Sequence, residues 1–166
     1  MPQARRSTSR QVALVWGGGD GVGRAVALAL GGRGADVVVA GGEERALGGV
    51  VGELVCGGGK ARHVAGKTGD VEHVAAAIEK AREAFGELTL VVVAAVQPSE
   101  TTQILAHVRS RVGADVRLVA VGPTYGECDD LRFVGGAKPD AERWLDMVLF
   151  LASSDAGERS QRILAV

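Results

Sequence analysis

Two short stretches of the chain carry residue types that could do chemistry. The first is "WGGGDGVGRA", Trp16 to Ala25. Gly17, Gly21 and Gly23 stand between an apolar run and a helical pattern. Glycines so placed permit a tight turn, a close backbone approach to a phosphate and close packing of the helix that follows. The helix N-terminus then faces an anion. The chemistry this implies is capture of a phosphate-bearing cofactor, with Val22 inside the turn. Trp16 puts an indole where such a cradle needs room. It either fills space at the end of the first strand, or stacks on a ring, or closes off the pyrophosphate site.

The second stretch is "GPTYGECDD", Gly122 to Asp130. Tyr125, Glu127 and Asp129, with Asp130, can act as acid or base in a cleft dry enough to shift their proton affinities. The alternative is a solvated acidic loop. Cys128 lies among three carboxylates, which disfavours a thiolate and argues against a nucleophile. His63, His73 and His107 fall on separate elements, so no metal site is expected. His73, in the first turn of a helix, reads as a surface residue. Gln97 and Ser99 follow the fourth strand, and Pro123 and Thr124 open the acidic loop. With Trp16, these four are the candidate ligand-cleft residues.

The elements that must position these residues alternate along the chain. Apolar runs at Val12–Trp16, Asp36–Ala40, Thr89–Ala95 and Val116–Val121 read as strands buried on both faces. Arg62–Ala65 is a weaker strand, and Arg162–Val166 is a sixth. Helical patterns fill the gaps over 22–30, 43–56, 70–85, 101–112 and 139–152. Asp70 is placed to cap the third helix, whose stripe is Val74, Ile78, Ala81 and Phe85. Gly48, Gly49 and Gly52 each cost ~1 kcal/mol in the second helix, so that helix is expected to be short or mobile. Strand–helix alternation implies an α/β fold with a doubly wound, Rossmann-like parallel sheet of about six strands, ordered 3-2-1-4-5-6. Ligands of such sheets sit beyond the C-terminal strand ends, between strands 1 and 4.

Composition bounds the rest. The chain has 166 residues, a net charge of -1 and 25 glycines. It shows no basic stripe for nucleic acid, and its longest apolar run, Leu88 to Val96, is too short to span a bilayer. Residues 1–10 read as a flexible tail and 11–166 as one domain. Two cysteines, Cys56 and Cys128, form no disulfide or metal pattern, and a reducing cytoplasmic compartment is expected. The Ala, Gly, Val and Arg bias suggests a high-GC bacterial source.

The glycine turn resembles the T-G-x-x-x-G-x-G turn of the short-chain dehydrogenase/reductase family, with Trp16 in place of threonine. "GDVEHV" is similar to that family's Asp-Val step, which implies that Asp70, followed by Val71, contacts an adenine. "FGELTLVVVAAVQP" resembles the approach to its N-N-A-G strand, "VRLVAVGPT" its late strand ending in Pro-Gly, and "AKPDAERWLDMVLFLASSDA" with "RSQRILAV" its last helix and strand. The resemblance implies NAD(P) binding by Gly17, Gly21, Val22, Gly23, Asp70 and Val71.

Departures from the pattern are equally specific. N-N-A-G reads "VAAV", Val93 to Val96. Only Gln97 to Asp115 separate that strand from "VRLVAV", room for one crossover helix. The family's catalytic serine strand and Y-x-x-x-K pair have no counterpart. The one tyrosine, Tyr125, is followed four residues on by Asp129, which raises a phenol's pKa rather than lowering it. The ribose-selecting position reads Gly41–Gly42, and Asp20 would repel a 2′-phosphate. Cofactor expectations are therefore either none or weak NAD-type binding.

Three readings follow. The first is an enzyme performing a non-redox proton transfer (dehydration, isomerisation or cyclisation) on a small molecule, with Tyr125 and Asp129 or Glu127 as the acid/base pair. The second is an NAD(P)-dependent reductase using Tyr125 or water as proton donor. The third is a non-catalytic binding protein or partner subunit. The expected partners are a small-molecule substrate and a second copy of the chain, with neither nucleic acid nor membrane.

Overall fold

A computed structural model describes residues 10–19, 21–67, 70–94, 98–113, 115–122, 132–134 and 161–165. The elements in chain order are β1 (Val12–Trp16), α1 (Gly21–Gly32), β2 (Asp36–Gly41), α2 (Glu44–Cys56), β3 (Ala61–Ala65) and α3 (Val71–Phe85). β4 (Leu90–Val93), α4 (Pro98–Arg111), β5 (Arg117–Gly122), β6 (Arg132–Val134) and β7 (Gln161–Ala165) follow. The strands form one sheet ordered β3-β2-β1-β4-β5-β7-β6, and every pairing is parallel. The expected order holds from β3 to β5, with the terminal strand beside β5. The three-residue β6 at the edge is additional; a run this short, "RFV", carries no readable alternation. The expected helix over 139–152 lies outside the described residues.

A parallel sheet needs both faces covered, and the two faces divide by residue parity. Ala13, Val15, Val37, Val39, Leu90 and Val92 face α1 and α2, where Val26, Leu30, Leu47, Val50 and Leu54 bury against them. Val12, Leu14, Trp16, Val38, Val91 and Val93 face α3 and α4, against Val74, Ile78, Ala81, Ile104, Leu105 and Val108. Fully burying each such side chain contributes about 1.5–3 kcal/mol, so these two layers are the main reason the sheet forms.

The helix over the glycine-rich segment is neither short nor broken. α2 runs for 13 residues, because Leu47, Val50 and Leu54 bury on β2 and β3 and hold it against its poor propensity. The ion pair from Arg24 to Glu53 ties it to α1. Asp70 caps α3 as expected, its carboxylate accepting from the Glu72 N–H at 3.0 Å. At the opposite end of the sheet, Asp36 is buried at the start of β2 and pairs with Arg10 at 2.7 Å.

Between β4 and β5 the described residues hold one helix, α4, and β4 pairs directly with β5 from Leu90↔Arg117 to Val93↔Ala120. The crossover is as short as the residue count requires.

Candidate functional site

The crevice lies where β1, flanked by β2 and β4, ends and the chain turns into α1. Gly17 adopts φ 79° and Gly21 φ 50°, left-handed values that favour glycine. The turn is pinned to its neighbours through the backbone. Gly17 N–H donates to the Ala40 carbonyl at 2.8 Å and Gly18 N–H to the same oxygen at 3.3 Å, while Ala94 N–H donates to the Trp16 carbonyl at 2.8 Å.

Space within the turn excludes side chains. A Cβ on Gly17 would lie 2.2 Å from the Ala94 carbonyl oxygen, and one on Gly23 would lie 1.9 Å from the Gly17 carbonyl oxygen. Gly23 therefore lets the first turn of α1 sit directly against the loop. Val22 is half-buried and packs on the α1/α2-side core. No acidic residue occupies the first turn of α1, so its free N–H groups and dipole remain suited to an anion.

These features fit the diphosphate of a dinucleotide: a backbone-walled turn, a first helical turn without acidic residues and close approach to β4; Asp20, directly before the helix in sequence, is the acidic neighbour. The ribose side fits less well. β2 ends at Gly41, which is buried, and Gly42 is exposed; neither carries a group for a ribose diol or a phosphate. Glu43 and Glu44 follow, both exposed, and Glu44 lies 3.8 Å from the His63 ring.

The opposite wall is the connection from β3 to α3. Gly66 N–H donates to the Gly41 carbonyl at 3.0 Å, which extends the sheet one step past β3 beside the turn. Asp70 and Val71, at its end, are exposed. Asp70 is engaged as a helix cap, which leaves its second oxygen open to another donor.

Trp16 is buried, with 1% of its surface exposed. Its ring points into the α3/α4-side core and meets the His73 ring at 4.6 Å between centroids, tilted 52°. It lies beneath the crevice as part of the core, not on the crevice wall. Among the described residues its indole Nε1 has no hydrogen-bond partner. His73 is buried too, contrary to the surface position read from sequence. Its Nδ1 lies 3.0 Å from the Lys67 carbonyl oxygen and its Nε2 3.1 Å from that of Val64. A hydrophobic stripe gives no sign of this, because the partners are a tryptophan on another element and two backbone carbonyls.

The structure thus brings Gly17, Gly21, Val22 and Gly23 together at one crevice, with Asp70 and Val71 closing the neighbouring connection. Ser99 lies in the first turn of α4. Gln97, Pro123, Thr124, Tyr125, Glu127 and Asp129 lie outside the described residues. His107 is half-buried on α4. No group of three His, Cys, Asp or Glu among the described residues is placed to hold a metal, and no helix among them is long and apolar enough to cross a membrane.

Comparison with known proteins places this geometry. The family described as short chain dehydrogenase matches residues 11–120. Among solved structures, a dehydrogenase/reductase from Sinorhizobium meliloti 1021 is 26% identical, with a TM-score of 0.57 over 68% of this chain and 54% of that one. A short-chain dehydrogenase/reductase from Serratia marcescens is 19% identical, with a TM-score of 0.61 over 68% of this chain and 55% of that one. A short-chain type dehydrogenase/reductase from Mycobacterium ulcerans is 18% identical, with a TM-score of 0.68 over 95% of this chain and 88% of that one. This chain spans about half the length of the Sinorhizobium and Serratia proteins. No curated protein matches it.

Proposed function

Because the chain belongs to the short chain dehydrogenase family, we propose that it is an enzyme that binds a nicotinamide dinucleotide at the turn after β1. Its chemistry then runs without the family's serine–tyrosine–lysine set. The observation that carries this reading is the Gly17–Gly23 contact: the turn keeps a backbone so close that no side chain fits, against a first helical turn without acidic residues. Gly17, Gly21, Val22 and Gly23 would hold the diphosphate, and Asp70 with Val71 would border the base. Bound there, the dinucleotide supplies hydride chemistry. Tyr125, or a water held by Glu127 or Asp129, would supply the proton that a developing alkoxide needs.

A second reading is favoured by the direct pairing of β4 with β5. No strand stands between them to carry the family's serine. In that reading the same cleft runs a non-redox proton transfer on a small molecule, such as a dehydration, isomerisation or cyclisation, with Tyr125 and Asp129 or Glu127 as the acid/base pair. Gln97, Ser99, Pro123 and Thr124 would line the substrate side in either case. We place the protein in the cytoplasm, with a second copy of the chain as its partner.

Titration with NADH and NADPH, followed by tryptophan fluorescence, tests the proposal. Micromolar binding of either supports the dinucleotide site, and absence of binding to both refutes it. Once a substrate is identified, turnover that consumes NADH separates the reductase from the non-redox reading. Tyr125→Phe is expected to lower turnover at least about a hundredfold, the usual size of a general acid/base contribution. Full activity in Tyr125→Phe and Asp129→Asn removes the proposed pair, and binding without turnover of any substrate favours a non-catalytic subunit.

A further inference from the structure

α2 is held unevenly along its length. Its far half is fixed at several points. Val50 and Leu54 are buried, and α1 packs so closely on Leu54 that a Cβ on Gly31 would lie 2.1 Å from its Cδ2. Glu53 pairs with Arg24 of α1. Backbone N–H groups close the C-terminal end: Gly57 donates to the Glu53 carbonyl at 3.0 Å, Gly58 to that of Val55 at 3.0 Å and Gly59 to that of Leu54 at 2.9 Å. The first turn, Glu44 to Leu47, has far less. Glu43 stands at the N-cap, and its side chain makes no capping hydrogen bond. Leu47 is the one buried side chain of this turn. Glu44 comes only to 3.8 Å from the His63 ring, an exposed pair that adds little. Gly48 and Gly49 join the two halves, and a Cβ on either meets nothing within 4 Å. Glycine at these positions weakens the helix without serving a contact.

The weakly held turn borders the crevice. A Cβ on Gly19 would lie 3.3 Å from the Ala46 Cβ and 3.5 Å from the Leu47 Cδ2, and one on Gly41 would lie 3.5 Å from the same Cδ2. Leu47 therefore lies against both the glycine turn and the end of β2. We propose that the first turn of α2 is a gate: it unwinds as far as Gly49, lifting Ala46 and Leu47 off Gly19 and Gly41, and a ligand in the crevice selects the closed turn. For the ligand, this rests on the reading that the turn after β1 binds a dinucleotide. Small residues at the end of a fixed segment are the usual place for such a hinge.

The opening has a defined hydrogen-bond signature. In the closed turn Leu47 N–H donates to the Glu43 carbonyl at 3.1 Å. Unwinding to Gly49 frees the N–H groups of Leu47 to Val51, whose helical acceptors are the carbonyls of Glu43 to Leu47. The N–H groups of Leu54 to Gly57 stay bonded in the anchored half. Alanine at Gly48 or Gly49 favours the wound turn by about fivefold, and the pair together by about twentyfold. Gly52 is helical in both states, so Gly52→Ala leaves the opening unchanged. A ligand that binds only the closed turn suppresses the opening in proportion to its occupancy.

Amide hydrogen exchange on the full chain tests this, first with neither substitution nor ligand. Protection at Leu47–Val51 is expected to be at least about tenfold below that at Leu54–Gly57. Equal protection along α2 overturns the gate. The double variant Gly48→Ala/Gly49→Ala is expected to raise protection at Leu47–Val51 by about twentyfold, and Gly52→Ala to leave it within about twofold of wild type. A gain of about fivefold from Gly52→Ala shows the helix opening as one unit and overturns the hinge. NADH at about a hundred times its dissociation constant is expected to raise protection at Leu47–Val51 by about a hundredfold. NADH that binds and leaves this protection unchanged overturns the gate, because the opening then spares the ligand site. If NADH does not bind, the dinucleotide reading fails, and the ligand-free exchange upholds or overturns the hinged turn by itself.

Discussion

Gly23→Ala gives the sharpest test of how the glycine turn is built, because two principles predict opposite signs. Gly23 lies inside α1, where alanine is favoured over glycine by up to about 1 kcal/mol. Helix propensity alone therefore predicts stabilisation. Packing predicts the reverse. The new methyl group would sit 1.9 Å from the Gly17 carbonyl oxygen and 2.6 Å from its carbonyl carbon. Relief requires a shift of more than about 1 Å, and the obstructing group is backbone, not the end of a flexible side chain. The backbone of Gly17 is itself fixed by its hydrogen bond to Ala40. Overpacking of this kind costs typically about 1–3 kcal/mol. With an obstacle this rigid we take the upper end, so the net effect after the propensity gain is a loss of about 2 kcal/mol.

Gly52→Ala is the matched control. It lies in the middle of α2, and a Cβ there meets nothing within 4 Å, so the propensity gain of about 1 kcal/mol stands alone. For a chain of this length 1 kcal/mol shifts Tm by about 2–4 °C. Thermal unfolding followed by circular dichroism should place Gly23→Ala roughly 4–8 °C below wild type and Gly52→Ala about 2–4 °C above it. The same shift of Gly17 should weaken NADH binding at least about tenfold, since the displaced backbone is the wall of the cradle. A Gly23→Ala chain at least as stable as wild type would refute the close approach of α1 to the turn.

The remaining predictions concern the two walls of the crevice. Asp70→Ala should cost about 1 kcal/mol in urea unfolding, because it removes the α3 cap; Asp70→Ser, which keeps a capping oxygen, should restore stability to within about 0.5 kcal/mol of wild type. Trp16→Ala should cost about 3–5 kcal/mol as a cavity in the α3/α4-side core. Trp16→Phe should cost far less, about 2 kcal/mol or under, because it also removes a buried N–H that has no acceptor among the described residues, a liability of about 1–3 kcal/mol. Guanidinium midpoints at constant m-value check both tryptophan variants.

The strands β1, β2, β4 and β5 are legible in the sequence because a strand buried on both faces is apolar at every position. That same uniformity hides which face each residue takes. From its place at the strand end Trp16 either fills space or faces the crevice, and the structure puts it with Val12 and Leu14 on the α3/α4 side, filling space. Only the parity of a known register assigns that face. α2 shows the limit of propensity: three glycines predict weakness, and three apolar side chains at helical spacing override them once the sheet is present. His73 was illegible for a different reason. Its burial depends on Trp16, 57 positions earlier in the chain, and on carbonyls of a connection that has no sequence signature beyond Gly66. The glycine turn was legible because its requirement is local: left-handed φ angles and the absence of Cβ atoms are demands on residue type.

The direct pairing of β4 with β5 explains how a core of this kind can lack the family's catalytic strand and still close. The side chains that hold the sheet lie within strands and on the inner faces of helices. The groups that do chemistry lie past the C-terminal strand ends, on connections that contribute little burial. α4 crosses from β4 to β5 and buries Ile104, Leu105 and Val108 on the same face that α3 covers. Shortening the path between these strands therefore takes away loops and their functional groups while the layer beneath stays filled. The glycine turn packs against the ends of β2 and β4 and against α2, and among the described residues none of its close contacts or hydrogen bonds reaches β5. On the proposed reading, cofactor capture at the turn and proton transfer beyond β5 would be carried by different connections. A variant of the turn should change dinucleotide affinity without altering the cleft beyond β5, and a variant at Tyr125 should change turnover without altering that affinity.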